Sequence, residues 1–223
     1  MSSRQPGLDA ARQYDRWFET AWGKYAFVVE QGALQMALGP VAGVFLLDAG
    51  CGPGRFAQRL QKGGADVVCI DVDAAMVALA RQRMSAPAVQ GDVGRLPFHS
   101  EIFDAVVAVT LLEFVERPER VVSELVRVTR AGGKLVIAAL NRTSPWGVAH
   151  RKRLRRPPWD RAHFLTRSTL LSLGRRHGDA RLAGALHAPG PIPGLRLVGP
   201  VLEEIGRLAP RLGAFQVLVV TRS

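Results

Sequence analysis

Val44-Phe-Leu-Leu-Asp48-Ala-Gly50-Cys-Gly52-Pro-Gly54 is an apolar strand that runs straight into a loop with glycine at every second position. Glycine lets the backbone turn through angles closed to other residues, and it lets a ligand approach main-chain N–H groups without meeting a Cβ. The stretch therefore predicts a βαβ unit whose first loop cradles a nucleotide-like ligand. A dinucleotide fingerprint spaces its glycines G-x-G-x-x-G, so that a pyrophosphate rests on the following helix N-terminus. Here the third glycine comes one residue early. Asp48, at the mouth of the loop, would repel a pyrophosphate and favour a cation such as an amino acid ammonium.

Working outward, Val67-Val-Cys-Ile70-Asp71 is a second apolar strand ending in an acid 21 residues after Gly50. That is about the distance at which an acid accepts hydrogen bonds from ribose hydroxyls, which makes Asp71 the ribose candidate. Runs at Val67 to Ile70, Ala105 to Val109 and Leu135 to Ala139 are apolar throughout, as strands buried on both faces must be. Between them lie helical stretches. Ala74 to Arg83 is helical, with Asp73 read as its cap. Over Arg117 to Arg130, Val121, Val122, Leu125 and Val128 form one stripe, Pro118 suits the first turn and Gly132 lies past the end. Alternating strands and helices with right-handed crossovers predict an α/β, doubly wound, mostly parallel sheet with its ligand beyond the C-terminal strand ends.

Four blocks in order carry a family resemblance: Asp48-Ala-Gly-Cys-Gly-Pro-Gly54, Ile70-Asp-Val-Asp-Ala-Ala-Met76, Gln90-Gly-Asp92-Val-Gly-Arg-Leu-Pro-Phe98, and Phe103-Asp-Ala-Val-Val through Pro118 to Gly132-Gly133-Lys-Leu-Val-Ile137. They span about residues 44 to 140, after a lead-in Tyr14-Asp-Arg-Trp17-Phe. The chain thus resembles the class I S-adenosylmethionine-dependent methyltransferases, and closely the small-molecule group that includes ubiquinone and menaquinone biosynthesis enzymes. The resemblance implies a seven-stranded Rossmann-like sheet in which the last strand, Phe215 to Thr221, lies antiparallel. It also implies S-adenosylmethionine as cofactor and S-adenosylhomocysteine as product. Asp48, Ala49, Gly50, Cys51, Gly52 and Gly54 would hold the methionine end, Asp71 the ribose, and Val72 and Met76 the adenine. Asp92 would accept from the adenine amino group, the backbone at Val93 would complete that recognition, and main chain at Val109 and Thr110 would face the methionine moiety. Taken without the resemblance, Asp92 is equally well read as a loop acid satisfying its own turn.

Length and composition suit one domain over 1–223, which the resemblance makes a methyltransferase domain with an N-terminal helical cap (1–40), a cofactor-binding core (41–140), a substrate-side insertion (141–165) and the C-terminal part of the sheet (166–223). Cys51 and Cys69, without a paired C-x-x-C spacing, indicate neither a zinc site nor a disulfide framework, and no metal is expected. No leader-like or membrane-spanning apolar run is visible, so the expected location is cytoplasmic. Charge is unevenly placed. Residues 1–141 carry 15 Lys+Arg and 15 Asp+Glu, whereas residues 142–223 carry 15 and 4, so the net +11 lies wholly in the C-terminal portion. Its densest piece is Arg151-Lys-Arg-Leu-Arg-Arg156.

Because a sulfonium is already an activated methyl donor, such a site mainly has to align donor and nucleophile in a dry pocket. Glu113, His163 and Tyr14 are the candidates for removing a proton from the acceptor, with His150 and Tyr25 as further groups of suitable chemistry. The expected partner is a small-molecule methyl acceptor. The alternatives are an RNA or protein methyltransferase docking through 151–156, and a non-catalytic S-adenosylmethionine-binding protein. Nucleic acid is disfavoured because only Trp146 and Trp159 flank the basic run, and bases need aromatic stacking partners. Peripheral contact of the basic segment with an anionic membrane stays open.

Overall fold

The computed structural model describes residues 6–149 and 162–223. The chain begins with two helices, α1 (Pro6–Trp17) and α2 (Ala21–Leu38). It then alternates β1 (Phe45–Ala49), α3 (Arg55–Lys62), β2 (Asp66–Asp71), α4 (Ala74–Arg83), β3 (Ala88–Gln90), β4 (Phe103–Val109), α5 (Pro118–Val128) and β5 (Thr129–Leu140). After α6 (Pro145–Ala149) come α7 (Arg167–Arg175), β6 (Gly178–Ala185), α8 (Leu195–Gly206) and β7 (Phe215–Arg222). The sheet runs β3-β2-β1-β4-β5-β7-β6. β7 pairs antiparallel with both β5 and β6, and the other pairings are parallel.

Alternation along the strands sends neighbouring side chains to opposite faces, and each face carries helices. Leu46, Val67, Val107 and Val136 pack with Leu34 of α2, Leu60 of α3 and Val77 of α4. Leu47, Ile70, Val106 and Ile137 pack on the other side with Leu125 of α5 and Leu170 of α7. Both strand faces are buried, which is why these strands read as unbroken apolar runs. The order reverses between β1 and β4, so the loops that follow them diverge and leave a crevice at their C-terminal ends.

Local signals place the boundaries well in the cofactor core. Asp73 caps α4 by accepting from the Ala75 N–H at 2.8 Å, and Thr166 caps α7 by accepting from the Thr169 N–H at 3.2 Å. The helix expected to reach Arg130 ends at Val128, because Thr129 already pairs with Phe103 in β5. β6, Gly-Asp-Ala-Arg-Leu-Ala-Gly-Ala, gave no strand signal: it lies at the sheet edge with alternating partial exposure and carries no β-branched residue. The basic run 151–156 and His150 lie outside the described residues.

Candidate active site

The glycine loop turns between β1 and α3 with positive φ at Gly50 (71°), Gly52 (53°) and Gly54 (77°). Its N–H groups are mostly engaged within the protein. Those of Gly50 and Cys51 donate to the Ile70 carbonyl at 2.8 and 3.0 Å, that of Gly54 to the Cys51 carbonyl at 3.0 Å, and that of Gly52 to Asp71 Oδ2 at 2.8 Å. Pro53 has none. The loop therefore supplies clearance more than donors, unlike the nest of free N–H groups that holds a phosphate. A Cβ at Gly52 would meet nothing within 4 Å, whereas one at Gly50 would come within 2.6 Å of Leu111 Cδ1. Gly54 serves packing: its Cβ would lie 3.1 Å from the Ala80 backbone of α4.

A cavity of about 840 Å³ opens over this loop. It brings together Gly50, Gly52, Asp71, Val72, Met76, Asp92, Val93, Val109 and Thr110 of the residues singled out in the sequence. Asp71 lines it with Oδ1 accepting from the Asp73 N–H at 2.9 Å and Oδ2 from Gly52. Burial pushes its carboxyl upward against the pull of those N–H groups. Asp92 Oδ1 accepts from the Gly94 N–H at 2.8 Å, so it closes its own turn while also lining the cavity. Asp48, Ala49, Cys51 and Gly54 do not line it. Asp48 is 2% exposed, lies behind the loop, and has Oδ2 without a hydrogen bond. Burial, helped by Asp71, raises its carboxyl to about 7. In place of the mouth position expected for it, Asp48 is buried within β1, which continues to Ala49 before the chain turns. Leu111, Arg117 and Arg120 also line the cavity and had drawn no attention in the sequence, where they sit beyond the glycine and acid motifs.

Tyr14, Phe18, Phe56 and Thr110 separate this cavity from a second one of about 470 Å³, lining both. Thr110 takes φ 46°, which turns the chain sharply at the end of β4 and places it at the junction. The second cavity is walled by aromatic rings from α1 and α2, with Leu140 from the end of β5 and Trp146 from α6. Tyr14 shares a side-chain hydrogen bond with Thr110, and burial together with Glu30 and Glu113 holds its phenol well above the usual range. Glu113 is fully buried. Its Oε1 accepts from the Leu140 N–H at 2.6 Å, its Oε2 is unbonded, and burial raises its carboxyl to about 7. It lies beside the cavity without lining it. His163 has an exposed side chain, is absent from both cavities, and touches the region only through its N–H, which donates to the Glu113 carbonyl at 2.7 Å. Tyr25 is likewise turned away, donating to Glu203 of α8 at 3.0 Å.

Glu30, which sequence reasoning passed over, lines the second cavity. Its signal was present: it interrupts the buried stripe Ala26, Ala33, Leu34 and Leu38 of α2. Helical spacing puts a carboxylate there among core positions. The cap that carries it is tied down by Asp15, whose carboxylate accepts from Arg55 Nε at 2.6 Å and Arg83 Nη2 at 2.7 Å. Among the described residues there is no cluster of metal-ligating side chains and no helix long and apolar enough to cross a membrane.

A family model of a methyltransferase domain matches residues 47–137. A demethylmenaquinone methyltransferase of Renibacterium salmoninarum is 37% identical over 103 residues, covering 46% of this chain and 44% of that protein. An uncharacterized Mycobacterium tuberculosis protein is 34% identical over 202 residues, covering 87% and 66%. The chain spans about half the length of the first curated relatives it matches. Among solved structures, an S-adenosylmethionine-dependent methyltransferase from Thermotoga maritima superposes with a TM-score of 0.77 at 24% identity, covering 97% of this chain and 98% of that one. With its four blocks, its strand order and the cavity over its glycine loop, the chain carries a methyltransferase domain over residues 47–137 on the fold of S-adenosylmethionine-dependent methyltransferases, and over that stretch it is similar to quinone-biosynthesis enzymes.

Proposed function

We propose that this protein moves a methyl group from S-adenosylmethionine to a small-molecule acceptor held in the aromatic cavity. The observation that carries the reading is the junction of two cavities of different character at Thr110 and Tyr14. The larger cavity fits the cofactor: its loop leaves open the space that a Cβ at Gly52 would fill, its few free N–H groups suit a ligand without phosphate, and Asp71 lines it at ribose spacing. Gly50 and Gly52 would flank the methionine end, Asp71 the ribose, and Val72, Met76, Asp92 and Val93 the base. When bound, S-adenosylmethionine supplies an activated methyl on a sulfonium.

The chain's own contribution is position and dryness. Phe18, Phe56 and Tyr14 line both cavities with aromatic surface that would keep water from the junction, which Thr110 shares. Tyr14 is a weak proton acceptor at neutral pH because its phenol is pushed up. Glu113, raised toward neutrality, has the better-matched basicity and an unbonded oxygen, and it would act on an acceptor only by a change of rotamer.

The test is thermal unfolding with and without S-adenosylmethionine or S-adenosylhomocysteine, in native protein and in Asp71→Ala. Ligand at about 100 times its dissociation constant adds about 2.7 kcal/mol. A rise in native protein that disappears in the variant is the expected result. No rise in cofactor-free native protein at saturating ligand would overturn the reading.

A further inference from the structure

We propose that the aromatic cavity takes a small apolar amine, bound as its ammonium by the Glu30 carboxylate. The inference rests on the reading that this cavity holds the acceptor, and it concerns what that acceptor must carry. Glu30 is 6% exposed, lines the cavity, and has no hydrogen-bonding partner among the described residues. A carboxylate so placed is costly unless something completes it, since buried acids elsewhere are paired or hydrogen-bonded. Two other polar side chains that line the cavity, Thr20 and Tyr14, are already engaged. Thr20 Oγ1 donates to the Trp17 carbonyl at 2.7 Å and accepts from the Gly23 N–H at 3.0 Å, and the Tyr14 hydroxyl is bonded to Thr110.

The electrostatics point the same way. Glu113 faces Glu30 as a second buried acid with one unbonded oxygen, and burial plus this neighbour raises Glu30 to about 8. No Lys, Arg or His side chain lines the cavity among the described residues. Among the described residues the site is thus acid-rich without a counter-charge, and a ligand cation would restore Glu30 to its ionised form. The walls suit such a ligand: Trp17, Trp22 and Phe18 line the cavity together with Glu30, and a ring face attracts an ammonium. The volume of about 470 Å³ lies within the range of ordinary small-molecule sites. A ligand carboxylate would add a third acid to the site, and a neutral alcohol would bring no charge to draw Glu30 into its ionised form.

Three of the four tryptophans, Trp17, Trp22 and Trp146, line the cavity, so intrinsic fluorescence reports on its occupancy directly. The full chain, free of cofactor, is titrated with phenethylamine, phenethyl alcohol and hydrocinnamate at neutral pH. The amine is expected to bind, the alcohol roughly ten- to hundredfold more weakly, and the carboxylate not at all. Glu30→Gln should bring the amine down to the level of the alcohol, while Glu30→Asp keeps part of the preference. Equal affinity for amine and alcohol in native protein would overturn the proposal without needing any variant, as would full amine affinity in a folded Glu30→Gln protein or binding of none of the three at millimolar concentration. The thermal shift by S-adenosylmethionine, measured on the same samples, separates the two readings. A cofactor shift without amine preference sinks only this inference, and amine preference without a cofactor shift sinks only the methyl-transfer reading.

Discussion

The three glycines of the first loop do three different jobs, and adding one methyl group to each separates them. At Gly52 the methyl enters open space in the larger cavity, and the left-handed φ of 53° costs about 1 kcal/mol for a residue with a Cβ. Gly52→Ala should therefore lose most of the cofactor-induced rise in unfolding temperature for a small loss of stability. At Gly54 the same strain is joined by a 3.1 Å approach to the Ala80 backbone, so Gly54→Ala should cost about 2 to 3 kcal/mol and leave cofactor affinity nearly intact. Gly50→Ala pushes on Leu111, which lines the cavity, and should lose both. Denaturant unfolding and thermal shifts on the three variants check the order; equal loss of binding in all three would refute it. The repeat of glycine was plain in the sequence, but its division of labour was not, because the distances to Leu111 and Ala80 come from other segments.

At the scale of elements, α1 is latched to the core by charge as well as by apolar contact, whereas α2 packs through its buried apolar stripe. Asp15 on α1 joins Arg55 at the start of α3 to Arg83 at the end of α4, and Arg55 also reaches Glu19 at 2.8 Å and lies over the Phe18 ring. These side chains of Asp15, Arg55 and Arg83 are only about a fifth exposed, so the bonds are screened less than surface pairs. Asp15→Ala leaves both guanidiniums without their acceptor and should cost about 1 to 3 kcal/mol. The loss should concentrate in α1, which limited proteolysis or amide exchange over residues 6–20 would show. Unchanged protection there would mean that the aromatic contacts of Phe18 hold the cap by themselves. The sequence reading placed this segment in an N-terminal cap, yet the latch was invisible because its partners lie 40 and 68 residues away.

Over the whole molecule, three buried acids tie stability to pH in an uncommon direction. Asp48 and Glu113 are raised to about 7 and Glu30 to about 8, in each case chiefly by burial. Each folded value lies above its unfolded one near 4, so the native state holds protons that the unfolded chain has released. The stabilisation from these groups is full below about pH 4 and is lost as pH rises through 7 to 8. Each group contributes a slope of about 1.4 kcal/mol per pH unit within its window. Unfolding free energy should therefore fall from pH 5 to pH 8, and Glu113→Gln should flatten that fall. A profile that is level or rising over this range would show that the acids are relieved in solution. Asp15, held low by Arg55 and Arg83 against its own burial, acts in the opposite sense and loses its contribution only in acid.

What the sequence by itself determined is the cofactor half of this protein. The alternation of apolar runs with amphipathic stretches, the glycine loop and the acids at strand ends are local in the chain, and local periodicity dictates strands, helices and the crossovers between them. The tertiary structure alone decided the other half. The aromatic cavity is assembled from residues 14–30, Phe56, Thr110, 140–146 and 186–191, segments whose meeting depends on how the cap docks on the sheet. Whether Glu30 is paired, whether Asp48 lines the cavity or is buried behind it, and whether His163 reaches the site are questions about solvent exclusion and satisfied hydrogen bonds. Those properties belong to the packed arrangement of distant segments, and no spacing along the chain encodes them.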